Sequence, residues 1–378
     1  MDYPKQFTPH LRRKASTFSQ RMEFFLCVSV LWIVSIIYYF VTAGKSYGLT
    51  AILLGIVGIV FARLPDIFWN LSVFFNKEYK TGAFKEYLYR VTHSYSYVTG
   101  LLLALLCPIG LAFWKLGIGA VLSILVFKLL FGGFGHNILN PAIFGRVFLQ
   151  LAFTSDRKTY LGSKPDSFTI STGASVPSLV NSKNGFSAIV SGLSFKDRIL
   201  GNYRGALGET FVLVLLVICV YLCVRQIIDW RVPVTYLGTL FLAFVLRFLG
   251  AGDGGWAFKD SLRYLAIGGI FFGGILCLTD PVTSPTSRSG RMRFALTSAL
   301  LTLLVRLFTG SPEGVAYSIL VANIRTPFFD KINSGRTNQK IIPIAVNASL
   351  FVLVLVAGLA YGLRNKINPS TGMFLKGR

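Results

Sequence analysis

Three short stretches bring together side chains able to do chemistry. "GGFGHNILNPAIFGR", residues 132–146, sets two amides, Asn137 and Asn140, beside a histidine and an arginine in a frame of glycines. An amide donates and accepts at once, so the pair suits a planar polar ligand; it equally suits the capping of a broken backbone, and the residue types leave both roles open. "TDPVTSPTSRSGR", residues 279–291, carries Asp280 just before a proline. A carboxylate there favours a helix N-terminus, and at membrane depth it is also a candidate ligand for an ion or a proton. Glu209, Glu313 and Asp330 join Asp280 as ion-path candidates. "DSFTISTGASVP", residues 166–177, holds one acid, no base and a run of hydroxyl residues around Gly173. A positive φ at that glycine would turn backbone amides toward an anion such as a phosphate, although Ser/Thr/Gly runs are also common in plain loops. No phosphate-binding P-loop, dinucleotide fingerprint, zinc-protease helix or nucleophile elbow occurs. With His10, His93 and His136 as the only histidines, a histidine-built metal site is not expected.

The elements that must position these residues are apolar. The 378 residues are 53% hydrophobic and 14% charged, too apolar a balance for a soluble domain of this length. Runs able to cross a hydrocarbon core of roughly 30 Å recur at 24–43, 49–62 and its continuation, 98–114, 117–131, 208–224, 234–250, 262–279, 293–308 and 341–363. They predict an all-α polytopic membrane protein. The net charge of +23 would suggest nucleic acid in a soluble chain, but here Lys and Arg fall between apolar runs and form no basic face interleaved with aromatics. The positive-inside bias accounts for them without a nucleic-acid partner. Lys5, Arg12, Arg13, Lys14 and Arg21 place the N-terminus in the cytoplasm, with the first run read as a retained helix. Arg225 and Arg231, then Arg288, Arg291 and Arg293, then Arg325, Lys331, Arg336 and Lys340 fall on the same side. Counting crossings puts the C-terminus outside, whereas Arg364, Lys366, Lys376 and Arg378 argue for inside. All five cysteines lie in apolar stretches and read as packing residues.

Three breaks interrupt the runs: "LNPAIF" at Asn140, "TDPVTSP" at Asp280 and "GSPEGV" at Ser311. Each sets a capping-type residue before a proline, which predicts a helix start. Non-helical backbone at membrane depth needs protein or a cavity to satisfy its polar groups, so such breaks usually mark a site. The first two fall at corresponding places in two halves. The organisation expected is a cytoplasmic segment 1–23, a first transmembrane repeat 24–153, an extracytoplasmic loop 154–205, a second transmembrane repeat 206–330 and a C-terminal extension 331–378. Five crossings per repeat would make the two halves inverted copies.

Taken together, "TPHLR" (8–12), "YVTGLLLAL" (97–105), "GGFGHNILNPAIFGRVFLQ" (132–150), "GNYRGALGET" (201–210), "LTDPVTSPTSRSGR" (278–291) and "PEGVAYSILVANIRTPFFD" (312–330) resemble one family. Its members are the D subunits of Rnf ferredoxin:NAD⁺ oxidoreductase complexes and the B subunits of Na⁺-translocating NADH:quinone oxidoreductases. The "TPH" opening and the core length are nearer the Rnf members. The resemblance implies about ten core helices in two inverted repeats with broken helices, similar in fold to urea transporters, with 341–363 as an extra helix. It implies FMN held by a phosphoester in the outer loop, where Thr172, Gly173, Ala174 and Ser175 match the attachment motif and Ser175 is the acceptor. The family acceptor is usually threonine; the bond requires only a hydroxyl. It further implies a second, non-covalent flavin, riboflavin, near Asn137 and Asn140. The partners implied are the other Rnf subunits, a flavin transferase and the lipid bilayer of a bacterial inner membrane. The role implied is that of a translocase component, not catalytic alone, passing electrons coupled to Na⁺ or H⁺ transport. A urea-transporter-like channel without redox role is the competing expectation.

Overall fold

The computed structural model describes residues 16–72, 83–153, 205–251, 257–266, 269–306, 314–331 and 341–367. Every regular element among them is helical. The first half comprises α1 (Thr17–Thr42), α2 (Lys45–Asn70), α3 (Ala83–Thr92), α4 (Ser96–Leu106), α5 (Phe113–Ile124) and α6 (Pro141–Ala152). The second comprises α7 (Val212–Val224), α8 (Arg231–Ala251), α9 (Ala257–Leu265), the short α10 (Ile270–Phe272), α11 (Arg288–Leu304), α12 (Gly314–Ile324) and α13 (Thr326–Lys331), followed by α14 (Ile341–Ile367). α1, α2 and α8 are long and apolar enough to cross a membrane, and α6, α7, α12 and part of α14 are shorter apolar helices. The chain therefore reads as a membrane protein.

Helix α4 is buried almost throughout, with Leu101, Leu103, Ala104 and Leu105 wholly enclosed. A helix apolar on all sides can be packed on every side without stranding a polar side chain. α2 meets it most closely, at Gly58 and Gly100: a Cβ on Gly100 would lie 2.2 Å from the Gly58 carbonyl oxygen. Between membrane helices the hydrophobic effect drives little association, so close backbone approach through small residues supplies the attraction.

Both halves contain a π-helical turn just ahead of a break. Leu125–Leu129 continues α5, and Gly273–Cys277 continues α10. Such turns are rare and concentrate at functional sites. After the first, Gly132, Gly133 and Gly135 take positive φ values of 110°, 92° and 101°, which L side chains avoid, and α6 then begins. Asn140 caps it as expected, its Oδ1 accepting from Ala142 N (3.0 Å) and Ile143 N (3.4 Å), with Pro141 in the first turn.

The second break departs from expectation. Asp280 begins no helix; α11 starts only at Arg288, capped by Ser287, whose Oγ accepts from Gly290 N (3.1 Å). The intervening residues form turns in which Ser284 N donates to the Asp280 carbonyl (3.0 Å). Pro281 and Pro285 lack the amide that would continue a helical ladder, and the hydroxyl that caps the helix when it does begin is that of Ser287. The third break, with Ser311, Pro312 and Glu313, lies outside the described residues.

Charged contacts gather at one end. Arg225, at the end of α7, holds Glu23 of α1 through two bonds of 2.7 and 3.0 Å. Asp229 accepts from Arg291 Nη1 (2.6 Å) and from the Arg231 amide (3.0 Å). That end contains the starts of α1, α8 and α11 together, in keeping with basic residues on a common side. α14 runs parallel to α8: its early residue Asn347 donates to Ser289 at the start of α11 (3.3 Å), while Gly250 near the end of α8 approaches Leu359 and Leu363. The end of α14 is therefore opposite Arg225 and Arg231. α14 thus docks along α8 in the same direction.

Candidate functional site

The two breaks meet. Asn140 Nδ2 donates to the Cys277 carbonyl (3.1 Å), an oxygen that the adjoining π-helical turn leaves available. Beside this bond lies a cavity of about 250 Å³ whose lining includes Arg21, Tyr95, Lys128, Asn137, Asn140 and Asp280. It draws on α1, the turn before α4, the first π-helical turn and both breaks, segments distant in sequence.

Arg21 Nη2 donates to Asp280 Oδ1 (3.1 Å), and the two side chains are 13% and 15% exposed. Asp280 is thus ion-paired at the cavity instead of serving a helix dipole. The Arg21 guanidinium also lies 4.9 Å from the centre of the Phe134 ring, which packs edge-on against Tyr95 at 4.8 Å. Tyr95 holds a left-handed backbone (φ 57°) at the start of α4, a costly conformation for an aromatic residue that lines the cavity.

Of the two amides singled out in the sequence, Asn140 is committed to the backbone at both ends of its side chain. Asn137 is not: its Oδ1 is buried without a partner and its residue lines the cavity. A planar ligand bearing N–H groups would satisfy that oxygen, and the rings of Tyr95 and Phe134 offer apolar surface to it. The residues present therefore fit a flavin ring.

One wall residue that the motifs did not bring forward is Lys128, and behind it stands a second, Asp66. Lys128, 2% exposed within the first π-helical turn, donates to Ser94 Oγ (3.0 Å), the Ser94 carbonyl and Ser96 Oγ. Ser94 Oγ in turn donates to Asp66 Oδ2, and Asp66 is wholly buried with Oδ1 unpartnered. A serine-bridged acid and base thus stand in the interior, with the base at the cavity and the acid behind it. The signal was available: Lys128 is a lone charge inside the apolar run 117–131, and an intramembrane base is a functional candidate by default. Its acidic partner could not be named from sequence, since Asp66 is on α2 and the bridge is on the turn before α4.

The remaining expected residues fall elsewhere. Asp330 Oδ1 accepts from Thr286 N (3.1 Å), Ser287 N (3.2 Å) and Ser287 Oγ (3.3 Å), which makes it a second cap on α11. Glu209 Oε2 accepts from Ala206 N (3.3 Å), and its other carboxylate oxygen fills the space a Cβ on Gly269 would take. Neither lines the cavity. Thr172, Gly173, Ala174, Ser175 and Glu313 lie outside the described residues.

Comparison with known proteins agrees with the motifs. The chain is 33% identical over 249 residues, 64% of its length and 73% of the relative's, to the D subunit of the proton-translocating ferredoxin:NAD(+) oxidoreductase complex of Clostridium ljungdahlii. It is 34% identical over 239 residues (63% and 71%) to the D subunit of the Na(+)-translocating ferredoxin:NAD(+) oxidoreductase complex of Acetobacterium woodii. It is 29% identical over 262 residues (67% and 62%) to the B subunit of the Na(+)-translocating NADH-quinone reductase of Chromohalobacter salexigens. The NQR2, RnfD, RnfE family model matches residues 5–339, and the chain belongs to that family.

Proposed function

We propose that this chain is a multi-pass inner-membrane component of an ion-translocating electron-transport complex of Rnf type. It carries FMN on Ser175 and a second flavin in the cavity beside Asn137, and it works with other subunits of the complex and a flavin transferase. The observation that carries the reading is the cavity built from both breaks, in a chain whose D-subunit relatives reach 33–34% identity. The π-helical turn before each break and the Asn140–Cys277 bond support two inverted repeats meeting at this site.

A bound flavin would supply one- and two-electron chemistry. The chain's own residues hold and surround it. Asn137 Oδ1 would accept from a ring N–H, and Tyr95 and Phe134 would offer apolar surface to the ring. Arg21 and Lys128 present positive charge to whatever the cavity holds, while Asp280 and Asp66 set that charge against carboxylates. Added negative charge in the cavity would weaken the hold of Arg21 on Asp280 and of Lys128 on Asp66, making these the acids whose affinity for a cation follows the occupant's charge. Glu209 and Glu313 stay ion-path candidates, while the role of Asp330 as a cap on α11 sets it apart.

Co-expression with a flavin transferase, followed by a denaturing gel under ultraviolet light, tests the tether. The unmutated chain should fluoresce and Ser175→Ala should be dark. Fluorescence persisting in Ser175→Ala would move the bond to another hydroxyl, Thr172 first. A dark unmutated band would return weight to a channel without redox role. The B-subunit relatives make quinone reduction the second reading, separated by assaying the purified complex with ferredoxin and with quinone.

A further inference from the structure

Helix α14 lies beyond the residues that the family model matches. Between α8, α11 and α14 runs a second cavity, about 920 Å³, lined by Leu242, Met292, Leu296 and Phe351 along its length. Leu242 and Met292 are 43% and 37% exposed, so the trough opens at the side of the bundle. Its floor reaches the backbone at Gly238, where an added Cβ would meet nothing within 4 Å. Farther along, α8 and α14 close upon each other: a Cβ on Gly358 would lie 2.4 Å from the Ala243 carbonyl oxygen. The trough therefore has a finite length and a shut end.

The other end is polar. Arg288, Ser289 and Asn347 line it where the starts of α8, α11 and α14 come together. Arg288 is exposed, on the first turn of α11, and has no acidic partner among the described residues. Asn347 donates to Ser289 Oγ, and its Oδ1 is buried without a partner. The Asp330 carboxylate is already engaged by the Thr286 and Ser287 amides.

We propose that this trough binds a phospholipid with an anionic headgroup. Its phosphate sits on Arg288 and an acyl chain runs past Met292 and Leu296 toward Leu242. The occupant must be apolar for most of its length and negative at one end. An apolar membrane helix from another protein would leave the cation at the polar end without a counter-charge. A phospholipid satisfies both ends, because a basic side chain at the membrane surface favours anionic headgroups. The cation also lies at the end carrying Arg225 and Arg231, which is the side the charge pattern assigns to the cytoplasmic leaflet. This inference is independent of any flavin.

The test uses the chain purified with its complex, with phosphatidylglycerol and phosphatidylcholine as probes and retained lipid measured by native mass spectrometry. Phosphatidylglycerol should be retained in preference, and Arg288→Gln, an exposed change, should lower that preference about five-fold. Gly238→Leu projects into open space, so it should fold normally while removing the retained lipid. Equal retention of the two lipids by the unmutated chain would overturn the proposal, as would retention unaffected by Gly238→Leu. A photocrosslinker on a Gly238→Cys variant that captures another protein's helix instead of lipid would also overturn it.

Discussion

Lys128→Met should be among the most damaging single changes in the interior, and Asp66→Asn should relieve it. Lys128 is 2% exposed and Asp66 is wholly buried, so both charges depend on partners within the protein. Both bond the Ser94 hydroxyl. Two charges bridged by one hydroxyl lie about 5 Å apart, which at an effective dielectric near 20 corresponds to about 3 kcal/mol. Removing the ammonium alone leaves a buried carboxylate with one oxygen already unpartnered and takes a donor from three serine oxygens. Breaking a buried pair in this way costs about 3–5 kcal/mol. Asp66→Asn alone should cost less, since the amide can still accept from Ser94. The double variant removes both charges and should be more stable than the sum of the singles implies by about 2 kcal/mol or more. The assay is equilibrium unfolding in mixed micelles followed by circular dichroism, with all four proteins in one double-mutant cycle. Strictly additive losses would refute the electrostatic coupling, and a Lys128→Met protein as stable as the parent would refute the burial cost itself.

Asn140→Ala removes both the cap on α6 and the bond to Cys277, and should cost about 2 kcal/mol in the same unfolding assay, whereas Asn137→Ala should cost little and instead weaken flavin binding, read by fluorescence titration. Gly100→Val forces a side chain onto the Gly58 carbonyl, which is backbone and cannot swing aside, so α2 and α4 must separate; a markedly lower unfolding midpoint is expected. Burial pushes the pKa of Asp229 up, but the Arg231 amide, the Arg291 hydrogen bond and the charges of Arg291 and Arg231 outweigh it and hold the carboxyl below its ordinary value. A lowered folded pKa contributes stability in full above the unfolded value, roughly 4, and loses it as pH falls through the folded one. Asp229→Asn should therefore be less stable than the parent at pH 7, with the gap closing as the pH is lowered through the acid range in the same unfolding assay.

Membrane character and the position of the first helix break were legible in composition and local pattern. A run such as 24–43 can satisfy its backbone in hydrocarbon only as a helix, and Asn140 followed by Pro141 caps α6 through amides no farther along the chain than Ile143. The amides at 137 and 140 both line the cavity, but their division of labour was not legible in the sequence, because it depends on whether the Cys277 carbonyl comes within reach. Asp280 looked like a helix cap because a proline follows it; its partner, Arg21, is 259 residues away. The pairing of Asp66 with Lys128 through Ser94, the capping of α11 by Asp330 and the direction of α14 are likewise products of packing between distant helices. Which segments are helices and where the first of them breaks follow from contacts within a turn or two, so the order of residues alone determined them. Which charges meet inside is decided only when the helices pack, because a buried charge takes its partner from whichever element the fold brings within hydrogen-bond distance.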